Sequence, residues 1–121
     1  MWWRSAFQAM LVYSALHGGD VLAQGQETTP ADQQRSKDAQ AAIKQVSAQI
    51  AAAPRDWRLY YVRGQLHRAQ RNFKEALADF TKAIEIEPRE AVLYEERGSA
   101  SFCLGDIDNS IADFDREIKL N

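Results

Sequence analysis

The sequence predicts an all-α fold of about five helices stacked in pairs, and three observations carry that expectation. From Ser36 onward apolar residues recur at three- and four-residue spacing, with no strict alternation of the kind a half-buried strand needs. The helical runs are punctuated at Pro54, Arg71-Asn72, Pro88 and Gly105-Asp106. The chain also superposes on itself at a shift of 34 residues, which is the mark of a repeat architecture.

The elements follow in order. Met1–Arg4 is a short positive start, Ser5–Leu16 is a mostly apolar run, and Val21-Leu22-Ala23 places small or branched residues before a cleavage point. Residues 1–23 therefore read as a signal peptide cleaved after Ala23, directing the chain to a secreted or periplasmic location. The apolar run is too short for a stable membrane span. Residues 24–35 are rich in Gln, Thr, Asp and Pro and read as a disordered linker. From Ser36, the residues Ala39, Ala42, Ile43, Val46 and Ile50 define one apolar helix face that stops at Pro54, so 36–54 is expected to be a half repeat. Two helical pairs follow, over 57–90 and 91–121. Asp56, Asn72 (with Glu75) and Asp106 are the candidate caps, and Gly105 is suited to the left-handed turn.

At the 34-residue shift Leu59, Tyr60, Arg63 and Gly64 return as Leu93, Tyr94, Arg97 and Gly98, while Ala78, Asp79, Phe80 and Ile84 return as Ala112, Asp113, Phe114 and Ile118. The pattern resembles the tetratricopeptide repeat, whose signature places are held by Tyr60, Gly64, Ala76, Phe80, Ala83 and Pro88, then by Tyr94, Gly98, Ser110 and Phe114. The resemblance implies a right-handed α-solenoid in which small residues, Gly64 facing Ala76, let paired helices approach. It also departs in two places. Arg63 and Arg97 stand where a leucine is usual, and Glu117 stands where the first copy has Ala83. A charge there argues against another repeat stacking in the same way, and leaves Ile111, Ile118 and Leu120 as apolar positions expected to be partly exposed.

Composition and motifs point away from chemistry. Apolar residues make up 45% of the chain and the formal net charge is −2, so general attraction to nucleic acid is not expected. Charge is nevertheless uneven: six bases and one acid lie between Arg55 and Lys74, and seven acids and two bases between Glu95 and Glu117. Cys103, the one cysteine, sits in an apolar pattern and is expected to be buried and inert. His67 has no partner at a catalytic spacing and reads as packing. Asp106, Asp108, Ser110 and Glu117 imitate a calcium-loop ladder, but Ile111 occupies the place that needs glycine. Neither a catalytic residue, a cofactor nor a metal is expected.

Binding is the remaining function. In the resembling family the first helix of each pair lines the concave side. Here Arg58, Tyr61, Gln65 and Arg68 form a stripe on one such helix, and Val92, Glu95, Ser99 and Phe102 form the matching stripe on the next. The expectation is an exported, non-catalytic adaptor for a protein or peptide partner. The alternative is a self-associating or capping module of a larger assembly, or part of a longer array.

Overall fold

The computed structural model describes residues 28–121; the signal-peptide reading of 1–23 lies outside them. Among the described residues there are five helices and no strand: α1 (Pro30–Ala52), α2 (Trp57–Ala69), α3 (Phe73–Ile86), α4 (Ala91–Cys103) and α5 (Ile107–Leu120). Each packs chiefly on its neighbour in the chain, α1 on α2, α2 on α3, α3 on α4 and α4 on α5. That linear order makes the fold an α-solenoid of helix–turn–helix units.

Residues 30–35 of the expected linker are helical, because α1 begins at Pro30 and not at Ser36, and its residues 24–27 lie outside the described residues. A polar capping box starts it: the Thr29 hydroxyl accepts from the Asp32 amide at 3.2 Å, and Asp32 Oδ2 accepts from the Thr29 amide at 3.2 Å. Proline occupies the first helical turn, where no amide donor is required. Apolar periodicity is blind to such a start, since capping is a polar device.

The two turns inside the helical pairs are copies of each other. Arg71 (φ 62°) and Gly105 (φ 81°) take the left-handed conformation. The following amides, of Asn72 and Asp106, each donate to a carbonyl five residues back, on His67 and Ser101, at 2.9 Å. Gly105 was the expected residue for this duty; Arg71 performs it against its steric preference. Asp106 caps α5 by accepting from the Asn109 amide. Asn72, expected to cap α3, makes no side-chain cap bond, although Asp106 at the matching place of the next pair does.

Packing explains the repeated residue types. The Tyr60 and Tyr94 hydroxyls donate to the Pro54 and Pro88 carbonyls, both at 2.9 Å, pinning each pair to the turn before it. Tyr60, Ala83, Ile84, Leu93 and Tyr94 form one buried cluster, and Ala76, Phe80 and Ala100 form a second. The nearest neighbour of Gly64 is the Phe80 ring, which clusters with Ala76. A Cβ on Gly64 would lie 2.6 Å from the Phe80 ring, and one on Gly98 would meet Asp113 Cβ and the Phe114 ring at 3.2 Å. The small side chain makes room for Phe80, which is fully buried.

One further expectation is overturned. Cys103, expected to be buried, is exposed, because it ends α4, where Phe102, Cys103 and Leu104 are all open to solvent. Ile111 and Ile118 are exposed and Leu120 is half-buried against the first cluster, in line with the partial exposure expected of them. Ser110 is buried inside the α4–α5 pair, so the calcium-like ladder cannot turn its side chains to one point.

Candidate functional site

The site is framed by a pair of ion clamps that sequence periodicity left unexplained. The Arg63 guanidinium donates through Nε and Nη2 to both Asp79 oxygens at 2.9 and 2.7 Å, and through Nη1 to the Ser47 hydroxyl at 3.1 Å. One repeat later Arg97 does the same with Asp113 at 2.9 and 2.7 Å, and reaches the Thr81 hydroxyl at 3.5 Å. Each arginine also lies over a tyrosine ring, Arg63 over Tyr60 at 5.8 Å and Arg97 over Tyr94 at 5.7 Å. The bidentate carboxylate holds both guanidinium groups more basic than usual, against the opposing effect of burial. Arginine therefore replaces the customary leucine because it ties its own second helix to the second helix of the preceding unit. His67 rests beside the first clamp, its Nε2 3.9 Å from Asp79 Oδ2, consistent with a packing residue.

These clamps fix the faces of α2 and α4 that carry the two predicted stripes. None of the eight residues is buried: Arg58, Glu95 and Phe102 are exposed, and Tyr61, Gln65, Arg68, Val92 and Ser99 are half-buried. Gln65 Nε2 donates to the Tyr61 hydroxyl at 2.8 Å and to Glu96 Oε1 at 3.4 Å, joining α2 to α4. Arg68 Nη1 comes within 3.1 Å of Glu96 Oε2. It approaches off the hydrogen-bond axis, so that buried oxygen has an ion pair but no directed hydrogen bond. Burial, with the Glu96 charge second, pushes the Tyr61 phenol up. Tyr61 in turn packs edge-on to Trp57 and tilted to Phe80, with ring centroids 6.3 Å apart in both cases.

Glu96 is the member of this site that spacing missed. It lies one position off the α4 stripe, yet is 91% buried against α2. The tertiary crossing of α2 and α4 brings it in, which no single-helix pattern encodes. Its presence also changes the electrostatics. Arg68 is paired with Glu96, and Arg58 is paired with Asp56 at 3.6 Å while lying over the Trp57 ring at 5.3 Å. Three of the six bases between Arg55 and Lys74, namely Arg58, Arg63 and Arg68, are thus paired with acids of the same chain.

The stacked helix–turn–helix fold defines a helical-repeat scaffold, and residues 57–90 match the family model of the tetratricopeptide repeat. The chain accordingly carries a tetratricopeptide repeat and the fold of that family, whose repeats serve as scaffolds for protein interaction. Among solved structures, MamA superposes with a TM-score of 0.67 at 24% identity, over 69% of this chain and 48% of that one. A MamA segment from Desulfovibrio magneticus RS-1 gives a TM-score of 0.66 at 20% identity, over 97% of this chain and 65% of that one. Identities this low establish likeness of fold alone, and the chain spans less than two thirds of the length of either structure. A comparison with curated protein sequences finds no match.

Proposed function

We infer that the chain is an exported adaptor that holds a protein or peptide partner on the joint face of α2 and α4. The observation carrying this reading is the contrast between the faces of those helices: the eight stripe residues keep solvent-accessible surface, while Tyr60, Gly64, Leu93, Tyr94 and Gly98 beside them are buried. Phe102, 61% exposed, offers an apolar contact, and the exposed Glu95 carboxylate offers an acceptor. The matching ligand presents an apolar side chain next to a hydrogen-bond donor.

Photo-crosslinking tests it. A benzoylphenylalanine placed at Phe102 should capture a discrete partner in the native host, and the same group at exposed Ala78 on α3 should not. Equal capture from both positions refutes the groove. Export is checked separately, since N-terminal sequencing of the native protein should begin at Gln24. Head-to-tail pairing of the basic and acidic halves is the weaker alternative, because Arg58, Arg63 and Arg68 already face acids of their own chain.

A further inference from the structure

We propose that the outer face of α5 is a second binding surface, which receives a single basic amphipathic helix from another protein. The 34-residue symmetry supplies the argument. On α3 the stripe Phe73, Leu77, Thr81 and Ile84 is half-buried or buried, in a helix that α4 packs against. Its copy on α5 is Ile107, Ile111, Asp115 and Ile118, and all four are exposed, the isoleucines at 47%, 55% and 68%. An apolar stripe of helical length, in register with one that a helix covers, has the shape for a helix.

Two charges on this face say what kind. At the place of Thr81, whose hydroxyl meets Arg97 from the next helix, α5 carries Asp115. At the place of fully buried Ala83 it carries Glu117. A complete repeat docking there would bring its own aspartate, as Arg97 brings Asp113, and would set two carboxylates against one guanidinium. A lone helix brings none, and Asp115 then serves as the arginine's carboxylate. Glu117 requires a second base where α4 offers Leu93 and Tyr94 to Ala83. The ligand is therefore a helix with an apolar stripe, an arginine opposite Asp115 and a lysine opposite Glu117.

The probe is a stapled peptide of residues 88–104, bridged across positions 95 and 99, with Tyr94→Lys to meet Glu117 and Arg97 kept to meet Asp115. Calorimetry should show saturable binding to the whole chain, weakened at least about tenfold by Asp115→Lys in the protein or by Arg97→Glu in the peptide. The two changes together should restore it, and Phe102→Asp in the groove should leave it unaltered. Circular dichroism confirms that each protein variant is folded. Absence of binding, or binding indifferent to Asp115→Lys, overturns the proposal. So does self-association of the chain alone that Ile118→Asp abolishes, since the face would then belong to a second copy.

Discussion

At the residue scale, the left-handed turns separate what the backbone demands from what the sequence supplies. Gly105 adopts φ 81° without a side chain to clash, whereas Arg71 holds φ 62° with a Cβ. Left-handed geometry costs an ordinary residue about 1 kcal/mol. Arg71→Gly should therefore raise the urea midpoint, by a stability gain of about 0.5–1 kcal/mol after allowing for the freer unfolded chain. The helical glycines divide in the opposite sense. Alanine in place of glycine favours a helix by about 1 kcal/mol, but at Gly64 the new Cβ would sit 2.6 Å from the buried Phe80 ring. Overpacking of about 1–3 kcal/mol wins there, so Gly64→Ala should destabilise. At Gly98 the nearest atoms are 3.2 Å away and Phe114 is only half-buried, so Gly98→Ala should be close to neutral. Equal denaturation midpoints for the two variants would refute this ordering.

Between elements, the arginine clamps are the decisive contacts. Asp79 is almost fully buried and its two oxygens are held by Arg63, so Arg63→Met strands a charge and should cost about 3 kcal/mol. Asp79→Leu added to it should recover much of that loss, and a double-mutant cycle with additive effects would show that the pair is not coupled. The start of α1 gives a pH prediction. Hydrogen bonds from the Thr29 side chain and then its backbone hold the Asp32 carboxyl below its ordinary value. A lowered carboxylate pKa stabilises above the unfolded value and loses that contribution as pH falls through the folded one. Amide exchange over residues 30–35 should accordingly quicken as pH drops below 3.8, after correction for intrinsic rates, while α3 stays protected. The same capping box explains the misplaced boundary. Apolar spacing located the face of α1 from Ala39 to Ile50, but the helix extends backward on polar residues whose hydrogen bonds carry no periodic signal.

Across the whole molecule, stability is a sum over neighbours, because each helix packs chiefly on the next. Amide exchange should be slowest in α2, α3 and α4, each of which packs between two neighbours, and faster in α1 and α5. Uniform protection through all five helices would contradict the linear scheme. By itself the sequence determined the all-α class, the repeat length, the breaks and the stripe on α2 and α4. Each of these is written locally, in helical periodicity and in residues that recur 34 positions on. Only the tertiary structure decided that Arg63 and Arg97 are clamps, that Glu96 meets Gln65 and pairs with Arg68, and that Cys103 is exposed. Those outcomes depend on how one helix crosses another. Charge complementarity and burial belong to the distance between residues of different helices, which spacing along a single helix does not contain.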